Sequence, residues 1–171
     1  MRFVYISLLV FLLVGCGVSN EPSASTNADG SETSENNTEL ATNFVLPTLA
    51  GDELALESLR GQYVLVNFWA TWCIPCREEM PYLQSISEIH SDQLVVLGIN
   101  MGEDVERVQP FVADMALTFP ILLDPPETLT TEHGVRGLPV SFVVGPTGEI
   151  VYRRVGEILP EEFDVWLAEN L

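Results

Sequence analysis

The sequence predicts an α/β domain with a central sheet and helices on both of its faces. Apart from Asn67, residues 63–69 form a run of β-branched, aliphatic and aromatic side chains, which is typical of a buried central strand. After this run, helix-like and strand-like patterns alternate along the chain. The last two strand-like segments are joined by residues 145–148 (Gly-Pro-Thr-Gly), a composition typical of a hairpin turn. An alternating core that ends in an antiparallel pair therefore predicts the α/β class.

Each element has its own signal. The predicted elements, in chain order, are a hairpin (44–46 with 53–56), a strand (63–69), a helix (73–89), a strand (94–99), a helix (105–115), a strand (121–123), a short helix (128–133), a hairpin (140–144 with 149–155) and a helix (161–170). Gly51-Asp52 supplies the first turn. In helix 73–89 the apolar face is formed by Met80, Leu83, Ile86 and Ile89. Pro81 lies inside this pattern and predicts a kink, Pro110 lies within the second helix, and Pro160 opens the last helix, where its missing N–H is tolerated.

The N-terminus reads as an export signal. Met1-Arg2 is followed by an apolar run over residues 3–14, which is shorter than the ~20 residues of a membrane span and fits a signal peptide. The run ends in Leu-Val-Gly-Cys at residues 13–16, which resembles the lipobox of bacterial lipoproteins. The resemblance implies cleavage before Cys16, diacylation of its sulfur, and an anchor on the extracytoplasmic side of a bacterial membrane. An uncleaved signal anchor, or a secretory signal with a chance cysteine, stays open as an alternative.

The chain therefore divides into a signal peptide (1–15), a lipidated cysteine with a tether (16–42) and one folded domain (43–171). The tether has almost no apolar side chains, so it is predicted to be disordered. The formal net charge of −18 argues against nucleic acid as a partner. Lysine is absent, which fits either salt adaptation or compositional drift in an acidic exported protein.

The chemistry is concentrated at Cys73 and Cys76. They follow a buried strand and open a helix, where free N–H groups and the helix dipole favour a thiolate at the first cysteine. Cys76 lies one turn later and can attack a mixed disulfide, and Pro75 stiffens the start of the helix. Redox chemistry is the favoured interpretation. The alternatives are a structural disulfide, a zinc site completed by His90 and His133, and chance.

Residues 66–81 (Val-Asn-Phe-Trp-Ala-Thr-Trp-Cys-Ile-Pro-Cys-Arg-Glu-Glu-Met-Pro) resemble the active-site stretch of thioredoxin-fold proteins. Their Glu-Met-Pro ending is similar to the exported TlpA/ResA/CcmG-like branch. The likeness covers nearly the whole domain, including the leading hairpin, a helix and strand inserted between Asn100 and Asp124, and residues 134–139 (Gly-Val-Arg-Gly-Leu-Pro). The resemblance therefore implies a thioredoxin fold with an N-terminal hairpin extension and this insertion before the proline region.

The resemblance also implies roles for single residues. Pro139 is expected to be cis and to lie against the cysteines, while the backbone of Leu138 pairs with the substrate. Glu79 is expected to exchange a proton with Cys76, unless it is a solvated acid like Glu78. Asn67 stands where ordinary thioredoxins have a buried aspartate, which makes Glu79 the more plausible proton acceptor. Trp69 and Trp72 are expected to shield the site and Trp72 to contact substrate, although core packing explains Trp69 equally well.

The leading hypothesis is a monomeric thiol–disulfide oxidoreductase for exported proteins, with no cofactor beyond the cysteine pair and no metal. The resemblance suggests apocytochrome c thiols as substrate and a membrane thiol–disulfide reductase as electron donor. A peroxiredoxin-type thiol peroxidase is the enzyme alternative, although its Pro-x-x-x-Thr-x-x-Cys pattern is absent. A metal or haem chaperone, or a redox-inert adhesion domain, is the non-enzymatic alternative. The direction of electron flow is not readable from the sequence.

Overall fold

The computed structural model describes residues 39–124 and 128–171, and of Thr128 only the backbone. The strands are β1 Val45–Pro47, β2 Glu53–Ala55, β3 Tyr63–Trp69, β4 Leu94–Met101, β5 Ile121–Asp124, β6 Val140–Val144 and β7 Ile150–Val155. The helices are α1 Ile74–Ile89, α2 Val105–Asp114, α3 Thr128–Glu132 and α4 Pro160–Asn170, with a 3-10 turn at Leu56–Leu59. The predicted order of elements is confirmed.

The main sheet has the strand order β5-β4-β3-β6-β7. Strands β3, β4 and β5 run parallel, whereas β6 and β7 are antiparallel to their neighbours. The predicted α/β class with a terminal antiparallel pair is confirmed, and the arrangement is a thioredoxin fold. Strand β3 lies at the centre and all but its first residue are buried, as its apolar run predicts.

Two apolar cores lie on the two faces of the sheet, because successive strand residues point to opposite sides. One core contains Leu65 and Trp69 of β3 together with side chains of α1, α2 and α4. The other contains Val66 and Phe68 together with Leu129 of α3 and the segment before β3. Helices thus cover both faces, and the cysteine pair belongs to the first core.

Residues before β3 cover both edges of the sheet. Glu39 and Ala41 exchange backbone hydrogen bonds with the β6–β7 turn, and Ala41 is buried. At the opposite edge, the Leu49 N–H donates to the Ile121 carbonyl of β5. Unpaired strand edges expose backbone donors and acceptors, which this segment satisfies. The folded domain therefore includes residues 39–42, which the sequence assigned to the tether.

Helix α1 continues through Pro81, and its predicted apolar face is correct at three of its positions: Met80, Leu83 and Ile86. Ile89 is a correction, because it is 71% exposed. At 3.6 residues per turn, a residue nine positions after Met80 lies on the opposite side of the helix. A repeat of three residues falls short of the helical repeat of 3.6, so by Ile89 it has left the buried face of the helix.

Cys16 and the predicted signal peptide lie outside the described residues. Within residues 39–124 and 128–171, no helix has the length and apolar character needed to cross a membrane.

Candidate functional site

Cys73 and Cys76 form a disulfide at the N-terminus of α1. Cys73 is the residue that caps the helix, and the Cys76 backbone N–H donates to its sulfur at 3.3 Å. Cys73 is 4% exposed, whereas Cys76 is fully buried. The first cysteine is thus the more accessible of the two, and a backbone donor points at its sulfur.

The two chain neighbours of Cys73 are exposed apolar residues. Trp72 is 63% exposed and Ile74 is 67% exposed, and the two residues flank Cys73 in the chain. Pro75 is half-buried in the first turn of α1. Exposed apolar groups of this size beside a reactive sulfur are suited to contact with a partner protein. Trp69, by contrast, is fully buried and packs on Phe111 of α2 with ring centroids 5.1 Å apart.

The Leu138–Pro139 peptide bond is cis, as the resemblance implied. Val140 pairs with Phe68, so Pro139 lies at the end of β3 from which the chain runs to Cys73. Pro139 is buried and Leu138 is half-buried. The sheet register therefore brings the two sequence-predicted segments to the same end of the fold.

Glu79 is buried, with 1% of its surface exposed, and is not a solvated acid like its exposed neighbour Glu78. Its Oε1 accepts a hydrogen bond from Asn67 Nδ2 at 2.7 Å, and its Oε2 accepts one from the Ile158 N–H at 2.8 Å. Burial raises the pKa of Glu79 to about 7, although both hydrogen bonds oppose this rise, and the charge of Glu157 adds to it. A carboxyl group with this pKa can both take and give a proton near neutral pH.

Ser141 was missed by the sequence reasoning. Its Oγ accepts a second hydrogen bond from Asn67 Nδ2, at 2.9 Å, and both residues are fully buried. Ser141 is the one polar residue in the otherwise apolar strand Val140–Val144 and follows Pro139 by two positions. A lone polar residue in a buried strand is a signal that could have identified it, because burying a hydroxyl is unfavourable unless it is hydrogen-bonded.

Glu103 was also missed. It follows β4, and its carboxylate accepts hydrogen bonds from the backbone N–H and the hydroxyl of Thr71, both at 2.6 Å. Asn100 Nδ2 donates to the same carboxylate at 2.8 Å, and the Arg107 guanidinium lies 3.9 Å away. Only 7% of the Glu103 side chain is exposed. These contacts fix the short loop between β3 and Cys73.

His133 is a packing residue, in agreement with the sequence interpretation, because its ring stacks on Phe142 with centroids 4.8 Å apart. His90 is half-buried in the turn after α1. Across the described part of the chain, no group of three or more His, Cys, Asp or Glu side chains is placed to hold a metal ion.

The comparisons with known proteins agree with the fold. Residues 38–153 match the AhpC/TSA family. The thiol-disulfide oxidoreductase ResA of Geobacillus kaustophilus is 37% identical over 125 residues, which are 72% of this chain and 72% of that protein. Among solved structures, StoA from Bacillus subtilis is 30% identical with a TM-score of 0.65, covering 75% of this chain and 98% of its own.

A thiol:disulfide interchange protein of the thioredoxin family from Chlorobium tepidum has a TM-score of 0.70 and 27% identity, and the match covers 78% of this chain and 96% of that one. The enzymatic activity predicted from the sequence, thiol–disulfide exchange, is the activity named for these relatives. The chain belongs to the AhpC/TSA family and, within it, to the ResA-like thiol–disulfide oxidoreductases with a thioredoxin fold.

Proposed function

We propose that this oxidoreductase is tethered to a bacterial membrane through Cys16 and reduces disulfides in exported proteins through Cys73 and Cys76. The observation that carries the proposal is the capping position of Cys73, where the Cys76 N–H points at its sulfur. A backbone donor and the positive end of a helix dipole stabilise a thiolate, which is the attacking species in disulfide exchange.

The proposed reaction has two exchange steps. The Cys73 thiolate attacks one sulfur of the substrate disulfide, forms a mixed disulfide and releases the other substrate sulfur as a thiolate. Cys76 then loses its proton and attacks the Cys73 sulfur, which forms the Cys73–Cys76 disulfide and releases the second substrate thiolate. The two released thiolates take up two protons. The substrate gains two electrons, and the protein loses them.

Glu79 is the proposed proton acceptor in the second step. It lies three residues after Cys76 on the same helix, and both side chains are buried. Because burial raises the pKa of Glu79 to about 7, an ionised fraction is present at neutral pH to accept the Cys76 proton. Asn67 contributes by donating a hydrogen bond to the Glu79 carboxyl group.

The proposed substrate is an extended or unfolded segment of an exported protein, with apocytochrome c as a candidate. The exposed apolar side chains of Trp72 and Ile74 suit a partner segment with apolar residues beside its cysteine. The backbone of Leu138, next to the cis bond, is the proposed pairing site for that segment. A membrane thiol–disulfide reductase is the proposed electron donor that restores the dithiol, and the protein is proposed to act as a monomer.

The exchange chemistry is tested with the reduced protein and a model protein disulfide. The wild type is expected to reduce the disulfide, Cys73→Ser to lose the activity, and Cys76→Ser to accumulate a mixed disulfide with the substrate. Cys16→Ser is the matched cysteine control and should react like the wild type. Full activity in Cys73→Ser would contradict the proposal, and rapid peroxide consumption by the wild type would favour the thiol peroxidase alternative.

The direction of electron flow is tested by the reduction potential of the Cys73–Cys76 pair. Centres of this type span roughly −270 to −120 mV, and a reductant belongs near the lower end of that range. A value near the upper end would make the protein an oxidant instead.

The anchor is tested in cells by radiolabelled fatty acid. Label is expected in the wild-type protein and in Cys73→Ser, and its absence is expected in Cys16→Ser. An unlabelled wild-type protein recovered in the soluble extracytoplasmic fraction would contradict the anchor.

A further inference from the structure

Ser141 and Asn67 face each other across the centre of the sheet. They are partners in the antiparallel register of β3 and β6, and both belong to the face on which α1 and α4 pack. The neighbouring positions on this face of the two strands are apolar: Leu65, Trp69 and Val143. Two fully buried polar side chains in such a surface are unfavourable unless their hydrogen bonds are made.

The hydrogen bonds of Asn67 are made at one end of its amide. Nδ2 carries two hydrogens, and it donates to Glu79 Oε1 at 2.7 Å and to Ser141 Oγ at 2.9 Å. Its Oδ1 is buried and has no hydrogen-bond partner among the described residues. If the amide turned over, Oδ1 would face an ionised Glu79, and two acceptors would repel each other. The orientation of this amide therefore decides whether the carboxylate of Glu79 is stabilised.

We propose that Ser141 is a positioning residue for the exchange reaction, because it holds the Asn67 amide with its nitrogen against Glu79. The inference rests on the proposed function, in which Glu79 accepts the proton of Cys76. Ser141 touches neither cysteine in this scheme and acts through Asn67 alone. It lies two residues after Pro139, so the strand that directly follows the proposed substrate-pairing residue Leu138 and Pro139 also sets the environment of the proposed proton acceptor.

The direction of the effect follows from the groups around Glu79. The groups that interact with Glu79 are Asn67 from β3 and, from the segment before α4, the Ile158 N–H and the Glu157 carboxylate. The hydrogen bond from Asn67 lowers the pKa of Glu79, against the larger effect of burial. Loosening Asn67 should therefore raise this pKa further, and the ionised, proton-accepting form should appear only at higher pH.

The test is a titration of Glu79 in the full-length oxidised protein, followed by the carbon-13 NMR signal of its carboxyl group and identified by its loss in Glu79→Gln. In Ser141→Ala the midpoint is expected to rise by about 0.5 to 1 pH unit. Ser141→Thr keeps the hydroxyl and should restore a midpoint close to that of the wild type.

Two controls separate positioning from packing. Val143→Ala removes buried atoms from the next inward position of the same strand and should leave the midpoint unchanged. In an Asn67→Leu background, Ser141→Ala should cause no further shift. An unshifted midpoint in Ser141→Ala, an equal shift in Val143→Ala, or a persistent effect without Asn67 would each overturn the proposal.

The exchange assay shows the same displacement if the proposal is correct, with the pH–rate midpoint of Ser141→Ala moved upward by the shift seen in the titration. The titration itself needs no activity. A wild type that reduces no disulfide at any pH would therefore overturn the proposed function, whereas an active wild type with an unshifted Ser141→Ala midpoint would overturn the role of Ser141 only.

Discussion

The Glu79 and Glu103 side chains are both largely withdrawn from solvent, but their hydrogen-bond partners differ. Glu79 lies on the buried side of α1 and accepts one side-chain amide donor and one backbone donor. Glu103 accepts two donors from Thr71 and one from Asn100, with Arg107 close by. The first carboxyl group is set up to change its protonation, while the second holds the loop that leads to Cys73. The same side chain type thus has a raised pKa at one position and a set of loop-holding contacts at the other, according to its surroundings.

The largest effect is expected on the rate of thiol–disulfide exchange when the Glu79 carboxyl group is removed. Glu79→Gln should slow exchange at pH 7 by about 100-fold, the lower end for loss of a general acid or base, and should remove the rate transition near pH 7. Glu78→Gln is the matched control, because Glu78 is the exposed neighbour on the same helix. Rates are measured from pH 5 to 9 with the same substrate. A transition near pH 7 that persists in Glu79→Gln would assign it to another group.

The same group should make stability depend on pH. The folded-state pKa of Glu79, about 7, lies above its ordinary value of 4.5, so the folded protein binds more protons than the unfolded chain between these values. The contribution is fully present below pH 4.5 and is lost as pH rises through 7, with a magnitude of order 3 kcal/mol. Urea unfolding of the oxidised protein should show this fall relative to Glu79→Gln, in which the contribution is absent. Parallel pH curves for the two proteins would contradict it.

Removing the charge of Glu103 should affect structure rather than titration. Glu103→Gln is expected to lower the free energy of unfolding by roughly 1 to 3 kcal/mol, because charge-assisted hydrogen bonds to Thr71 and Asn100 are weakened. Amide hydrogen exchange of Thr71 should accelerate, and the Glu79 midpoint should stay in place. Glu106→Gln, at an exposed site in α2, is the control for loss of a charge. A shifted Glu79 midpoint in Glu103→Gln would show that the two acids are coupled.

The smallest effect concerns Arg107, whose nitrogen lies 3.9 Å from Glu103 and whose side chain is 69% exposed. Arg107→Ala should cost no more than about 0.5 kcal/mol, and high salt should abolish the difference, because exposed ion pairs are screened. Urea unfolding at low and high salt measures both. A larger, salt-independent loss would mean that Arg107 packs against the loop instead of pairing with Glu103.

The sequence could predict residues whose role depends on local pattern. The redox role of Cys73 and Cys76 was predicted from the strand before them and the helix after them, and the fold class was predicted from the alternating elements. Three other site residues could be predicted only from the family resemblance: Glu79, Leu138 and Pro139. Glu79 is one of many acidic residues, and Leu138 and Pro139 lie more than 60 residues after the cysteines, so no local pattern marks them as part of the site.

Contacts between distant parts of the chain could not be predicted in the same way. The Ile158 N–H that meets Glu79 is a backbone group and has no side-chain signature. Glu103 is one of 25 acidic residues, and only the folded sheet brings it to Thr71. The start of the domain was predicted at residue 43. The sequence alone could not show that Glu39 and Ala41 pair with an edge strand more than 100 residues later in the chain.

The backbone pairing of Glu39 and Ala41 also determines where the chain enters the folded domain. Glu39 and Ala41 join the sheet beside Gly148 and Ile150, at the end where β3 begins with Tyr63. The cysteines follow the other end of β3, which is about 20 Å away at the usual rise per strand residue. The chain thus enters the domain at the pole opposite its reactive sulfurs. Any attachment through the residues that precede Glu39 would therefore act at the end of the domain away from the cysteines, and the cysteine end would stay accessible to a partner protein.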